Sequence, residues 1–521
     1  MKRCICWAAL ALTAWAQPPI ESERIRQHLR HLADDRFEGR GTGQPGGERA
    51  AEYIADQFKS YGLEGGAPGG GYFQSVPFVG VTTLPGTSLK LAGRVLRRGD
   101  DYVVINQTQQ ARVRIDAPIV FVGFGIDSPS EHWNDYKDLD LHGKVALLFV
   151  NEPESQDPDF FRGRALTYAG RWTYKYEETA RRGALATLII HRTDLAAYDW
   201  EVVRNSGSSE RSFLKRQGEP ALQAAAWIQY DVARQLATQE GLQLEQLYRA
   251  AQQRNFRPIP FKSRVQINLD SRLRPFSARN VIARLAAGNE AVMYSAHYDH
   301  LGLHPGEKDP IYNGALDNAS GCAILLELAR LFAGSKPKRS LYFVSTTAEE
   351  QGLLGATYFA QHPPLPLRQI SLDLNFDMVP PWGEPEEVTA SGSERTTFGP
   401  AVVEEAEKSG MKLRPDPAPQ AGLYYRMDHF SLAQGGVPGF SLGEGLKFRG
   451  QTEEYGIKLA ADYTKYGYHH GADEFQENWD FKGLAQFTRL AYNLGWRAAN
   501  QEEMVQWRPG DEFESARKKI L

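Results

Sequence analysis

The sequence predicts an α/β fold, a mixed β-sheet flanked by helices on both faces, interrupted by an inserted, mostly β domain. Three observations carry this. From residue 291 onward, apolar runs with strand character alternate with runs of helical periodicity, the order that builds a sheet covered on both sides. Polar residues collect at the carboxyl ends of those strands, where open α/β sheets build their sites. From about residue 101 to 260 the texture changes to short β-rich runs (APIVFVGFGI, GKVALLFVNE, GALATLIIHR) broken by turn residues. A chain of 521 residues is long for one core, so two domains are the expectation.

Taken in order, residues 21–34 place Ile25, Leu29 and Leu32 on one helical face. After the glycine-rich GRGTGQPGGE, residues 49–61 stack Ala50, Ile54 and Phe58 on another, with Gly62 as the stop signal. GGAPGGGYF is a loop, and the β-rich insertion follows. Beyond it, residues 291–296 read as a strand and 319–332 as a helix burying Ile324, Leu325, Leu328 and Phe332. SLYFVSTTAEE is a strand ending in acids, GLLGATYFAQH a helix and SLDLNFDMV the next strand. The charged segment 508–521 is expected to be loosely held. The partition is a leader (1–16), a first part of the main domain (17–100), the insertion (101–260), the rest of the main domain (261–507) and the tail.

Composition narrows the function. Apolar content of 42% and charged content of 24% are those of a globular protein, and 10 Trp, 23 Tyr and 25 Phe exclude disorder. The net charge of −4 with no basic tract speaks against a nucleic-acid partner. Residues 1–16 carry Lys2 and Arg3, a short apolar run and Ala14-Trp15-Ala16, the pattern of a secretory signal cleaved near Ala16. This predicts a secreted or periplasmic protein. The apolar run is shorter than the about 20 residues that span a bilayer, and no later one is longer, so no membrane span is expected. Cys4 and Cys6 leave with the signal, and Cys322 remains as a small packing residue behind Asp317.

Five places carry chemistry: His297 with Asp299, Asp317, Glu349-Glu350, Asp377, and His469 in YHHGADEF. Imidazole nitrogen and carboxylate oxygen are zinc ligands. Two histidines and three carboxylates suffice for two Zn²⁺ per chain if one carboxylate bridges. Asp317 is the candidate bridge, with His297 and Asp377 completing one site, Glu350 and His469 the other. Glu349, beside a ligand, is placed to act as general base and then to return the proton to a leaving amine. Asp299 is placed to accept the second N–H of His297 and fix its tautomer. His470 competes with His469 for the last position. His300, His304, His362 and His429 are read as structural.

The motifs AHYDHLG, NGALDNASG, AEEQGLLGA, NFDMV and YHHGADE, in this order, resemble the di-zinc exopeptidase family of bacterial leucyl aminopeptidases, aminopeptidase Y and glutamate carboxypeptidases. The resemblance extends to FEGRGTG and KSYGLEGG near the start, and the insertion looks like that family's protease-associated domain. It implies zinc ligands at His297, Asp317, Glu350, Asp377 and His469, with Glu349 as base acting on a metal-bridging water. It also implies a peptide substrate, with an aminopeptidase preferred over a carboxypeptidase. The family's Y-H-x-x-x-D spacing to Asp473 selects His469. LYYRMDHFSL resembles another family stretch, with Met427 where a serine is usual. There Asp428 is supporting, and Tyr424 or Tyr425 is a candidate to bond the tetrahedral intermediate. A carboxypeptidase would need a cationic grip on the terminal carboxylate, for which Arg426 or Lys447 could serve.

Three rivals remain. Gly439-Phe440-Ser441-Leu442-Gly443 matches the G-x-S-x-G elbow of serine hydrolases, followed by Asp462 and His469 in the expected order. The flanking Pro438 and EGLKFRG do not suit the strand-turn-helix context that an elbow requires. A one-zinc glutaminyl cyclase on the same scaffold would need fewer ligands than are present. A binding protein that uses the insertion alone would leave the ligands and base without purpose.

Overall fold

The computed structural model describes residues 19–196, 198–206 and 210–521. The expected leader, with Cys4 and Cys6, lies outside the described residues. Helices Ser22–Leu32 and Pro45–Ser60 open the chain and bury the faces formed by Ile25, Leu29 and Leu32 and by Ala50, Ile54 and Phe58. The second starts earlier than its apolar face suggests because Pro45 presets the first helical turn. Gly46 permits a close approach there, since a Cβ would lie 1.8 Å from the Phe37 carbonyl oxygen.

Four parallel strands form the centre of the main sheet, in the order Ser340–Thr346, Ala291–His297, Ile370–Phe376 and Gly439–Glu444. Antiparallel neighbours extend it on both sides. Ile259–Leu285 pairs with Ser340–Thr346 and then with Phe73–Thr83, and Glu387–Ser391 pairs with Gly439–Glu444. The sheet is therefore mixed, as expected. Every residue of Ala291–His297 and Ile370–Phe376 is buried, the pattern of strands covered on both faces. Helices Ser320–Phe332 and Lys482–Asn500 cover one face and Leu354–Gln361 and His429–Gln434 the other.

The insertion forms a second sheet with its own core. Strands Arg112–Phe121, Val145–Phe149, Ala186–His191 and Ala224–Gln229 run parallel in sequence across it, with Tyr102–Ile105 antiparallel at the end. The pairing runs past the expected limits on both sides. It takes in Ser88–Leu91 and the first part of Ile259–Leu285, whose second part belongs to the main sheet. One long strand thus joins the two sheets without a linker.

Two expectations are corrected. The insertion is not mostly β: it carries helices Trp172–Arg181, Thr193–Ala196, Trp200–Ser206, Tyr230–Gln239 and Leu244–Ala251. The apolar stripe of Val232, Ala233, Leu236 and Ala237 has helical spacing, and the charged run ahead of Gly183 hides the buried Tyr174 and Thr179. The tail is not loose either. Glu514–Ile520 is a helix, and its Arg517 is buried. Arg395 forks onto Asp511 at 2.7 and 2.9 Å and reaches Glu512 at 2.7 Å, so the tail's charge is paired instead of solvated. Among the described residues, no helix is long and apolar enough to cross a membrane.

Candidate metal centre

The carboxyl ends of the parallel strands meet at one place. His297 ends its strand opposite Thr346, and Asp377 follows Phe376 on the adjacent strand. Glu349 and Glu350 lie in the loop after Thr346. Asp317 sits in the irregular turn Ala315–Ala319 that opens the helix Ser320–Phe332. That turn is fastened to its neighbours. Asn318 Nδ2 donates to the Phe376 carbonyl at 2.9 Å, and Asp473 accepts the N–H groups of Leu316 and Asp317 at 2.9 and 3.0 Å. Ala348, Met378 and His469 all hold left-handed backbone without being glycine. Such conformations collect at sites whose surroundings enforce them.

The side chains converge on Asp317. His297 Nε2 stands 3.4 Å from Asp317 Oδ1 and 3.3 Å from Asp377 Oδ1. His469 Nε2 stands 3.4 Å from Asp317 Oδ2 and 3.1 Å from Glu350 Oε2. Glu349 Oε2 is 4.0 Å from His297 Nε2. Ligand-type atoms of His297, Asp317 and Asp377 fall within 4.8 Å of one another, as do those of His300, Asp317 and Glu350. His300 is the surprise: its buried Nδ1 lies 2.8 Å from Glu350 Oε1 and 3.8 Å from Asp317 Oδ2, inside the cluster. The structural reading of His300 did not anticipate this place beside Glu350. The second histidine of AHYDHLG, three residues past the first, was the available signal.

Asp299 also departs from expectation. The Nδ1–H of His297 donates to the main-chain carbonyl of Asp299 at 3.1 Å, while the Asp299 carboxylate is 3.8 Å away. That carboxylate instead accepts from Thr42 Oγ1 at 3.0 Å and from the Glu349 N–H at 3.1 Å. It therefore holds the base's loop to the strand end. His470 is exposed. His304 and His362 stack on Tyr312 and Tyr358, away from the cluster. Burial pushes His429, wedged against Tyr424, down to about 3.

Electrostatics favour a cation. Among the described residues, the ion-pair partners of the four clustered carboxylates are histidines only. Burial raises Glu349 well above the usual carboxylate range; His297 opposes this, while Asp377, Glu350 and Asp428 add to it. Burial also raises Asp377. For Asp317 burial works upward, but bonds from His297 and His469 outweigh it and hold the carboxyl well below its ordinary value. His469 rises to about 10, because Glu350 and Asp317 outweigh its burial. Four clustered carboxylates, those of Asp317 and Asp377 buried and those of Glu349 and Glu350 half-buried, and three imidazoles with few internal donors form a set that fits divalent metal. The buried Nε2 of His300 makes no hydrogen bond.

Other candidates are displaced. Tyr424 donates to the Gly439 carbonyl at 3.2 Å and Tyr425 to Glu512 at 2.5 Å, so neither hydroxyl is free to meet a reacting group. Tyr468, stacked 3.9 Å from His469, is the tyrosine at the site. Lys447 pairs with Glu386 at 3.1 Å. Arg426 is exposed, and its charge acts on Tyr468 and on Arg171 of the insertion. Ser441 lies mid-strand in Gly439–Glu444, buried, with no turn to present it. Asp462 pairs with Lys458. The elbow reading ends there.

A model of peptidase family M28 matches residues 280–494, the span that holds the whole cluster. A probable zinc metalloprotease of Pyrenophora teres f. teres is 38% identical over 108 residues, 20% of this chain and 23% of that protein. An aminopeptidase of Pseudomonas aeruginosa is 31% identical over 207 residues, 37% of this chain and 36% of its own. The chain therefore spans about a quarter to a third of the length of these relatives. An aminopeptidase from Aneurinibacillus sp. strain AM-1 shares the fold, with a TM-score of 0.51 at 19% identity over 93% of this chain and 95% of that one.

Proposed function

We propose, from the premise that residues 280–494 belong to peptidase family M28, that this protein is a zinc-dependent aminopeptidase removing N-terminal residues from peptides. The observation that carries this is Asp317, whose two oxygens each face a different histidine at 3.4 Å. One carboxylate is thereby shared by two ligand sets. His297 and Asp377 would hold one Zn²⁺, Glu350 and His469 the other, with Asp317 common to both. Zinc bound there supplies a Lewis acid for the scissile carbonyl and eases deprotonation of water. Glu349 takes the proton of the attacking water at its carboxylate and returns it to the departing amine. Its raised proton affinity suits that exchange. Asp299, through the Glu349 N–H, keeps the base in place. The leader of residues 1–16 supports action in the periplasm or outside the cell.

The insertion borders the loop that carries Glu349 and Glu350. Ser212 N–H donates to Gln351 Oε1 at 3.3 Å, one residue from Glu350, and Tyr168 packs 4.7 Å from Phe430. A cleft bounded by such a wall favours short peptides. The proposal that it is a protease-associated-type domain rests on the sequence resemblance.

One observation favours a second polarity. Burial, and then the charge of Arg426, bring the insertion's Arg171 down to about 10, so the two cations act on one another. Such a pair could grip a terminal carboxylate, as a carboxypeptidase requires. Zinc-loaded protein offered two blocked peptides, one free only at its N-terminus and one only at its C-terminus, decides. Release from the first is the expected result; release only from the second would reverse the polarity.

A further inference from the structure

Arg40 is fully buried, yet its guanidinium bonds main-chain carbonyls and no carboxylate among the described residues. Nε donates to Tyr298 at 2.7 Å, and Nη1 to Leu32 at 2.7 Å and Asn313 at 2.5 Å. Nη2 donates to Gly314 at 2.7 Å and reaches the Asp317 carbonyl at 3.5 Å. Tyr298 lies between His297 and Asp299. Asp317 lies in the turn that carries the shared carboxylate, and Asn313 and Gly314 lead directly into it. One rigid planar fork therefore spans both structural sources of the cluster, a geometry that lysine cannot copy.

The chain is contorted to deliver it. Glu38, Gly39 and Arg40 are consecutive left-handed residues, with φ of 49°, 63° and 50°. Two of them are not glycine, a conformation that costs energy and persists only where surroundings enforce it. A Cβ on Gly39 would stand 2.4 Å from the Tyr312 carbonyl and 2.8 Å from that of Gly302, so the segment lies backbone-to-backbone on the loop after the metal strand. Two residues on, Thr42 bonds Asp299, and the His300 N–H donates to the Arg40 carbonyl at 3.3 Å.

We infer that Arg40 is a positioning residue for both halves of the metal centre, fixing the strand end at His297 and the turn at Asp317 at one spacing with a permanent positive charge behind the shared carboxylate. This rests on the metal reading above. It assigns FEGRGTG, far from the cluster in sequence, a role in metal affinity.

The test compares Arg40→Lys and Arg40→Gln with Arg339→Lys. Arg339 is likewise buried and bonds the carbonyls of Ala498, Gln501 and Glu502 at 3.0, 2.6 and 3.0 Å, with its Nε also on Glu290 Oε2 at 2.7 Å, remote from the cluster. Zinc affinity is measured by competition with a chromophoric chelator, and melting is followed on metal-free protein. The expected result is a loss of about 10–100-fold in affinity at both sites for Arg40→Lys, the range seen when groups that orient metal ligands are removed. Arg40→Gln loses at least as much. Arg339→Lys lowers melting but leaves zinc affinity within about twofold of wild type. Wild-type affinity in a folded Arg40→Lys protein overturns the inference. So does a loss confined to one site, or failure of Arg40→Lys to fold, which would assign Arg40 to the domain's stability instead. Wild-type protein that takes up no zinc removes the metal reading itself, whatever the variants do.

Discussion

The two halves of the centre share Asp317 but are built from different materials. His297 and Asp377 stand at the ends of neighbouring parallel strands, with side chains only 1% and 7% exposed, their spacing set by sheet register. Glu350 and His469 come from loops, and His469 is 36% exposed on a left-handed residue. The loop half also holds a spare imidazole, His300, against Glu350. A ligand set fixed by hydrogen-bonded strands loses little freedom on binding metal, whereas one drawn from loops must be ordered first. On the proposed two-metal arrangement, the strand half should be the tighter site and the loop half the one that exchanges.

That contrast can be broken or sharpened by experiment. The largest effect falls on neither half: Glu349→Gln should lower kcat by about 10²–10⁴-fold while zinc content stays unchanged. Loss of zinc with activity would make Glu349 a ligand and erase the division of roles. Next, His469→Ala should abolish binding at the loop half and spare one zinc, whereas His297→Ala should strip the strand half. Metal analysis after dialysis against a weak chelator reads both. Equal ease of release from the two halves in wild type would contradict the contrast.

His300→Ala should weaken the loop half by about 10–100-fold, as loss of an orienting bond does, without touching the strand half. An unchanged loop-half affinity would return His300 to a structural role.

The smallest effect is in pH. In metal-free protein His469 has a folded pKa raised to about 10, so its stabilisation is complete below about 6.5 and is lost as pH rises toward 10. The raised Glu349 and Asp377 act in the same direction, favouring the folded state at low pH. Metal-free protein should melt lower as pH climbs through that window, and zinc should remove most of the dependence. Melting that rises with pH in metal-free protein would refute the assignment.

The strand half was the more legible in sequence, for the same physical reason. His297 and Asp377 follow directly on unbroken apolar runs, so local pattern places them. His469 needed the spacing to Asp473 to be told from His470, which is exposed in the structure. What escaped depends on contacts between distant segments. His300 joins the cluster only because Glu350 comes up to it. Arg40 meets Asn313 and Gly314 across more than 270 residues of chain. The insertion's helices were hidden because charged residues dominate runs such as WTYKYEETAR, where burial of Tyr174 is a tertiary event. The tail read as solvated charge because its partner, Arg395, lies more than 100 residues away.

The most direct test of the shared carboxylate is a zinc count at equilibrium on wild type and Asp317→Asn, both confirmed folded. Wild type should hold two zinc per chain, and the variant should lose zinc from both halves. One zinc in wild type, or a variant that keeps either half at wild-type affinity, would contradict a shared carboxylate.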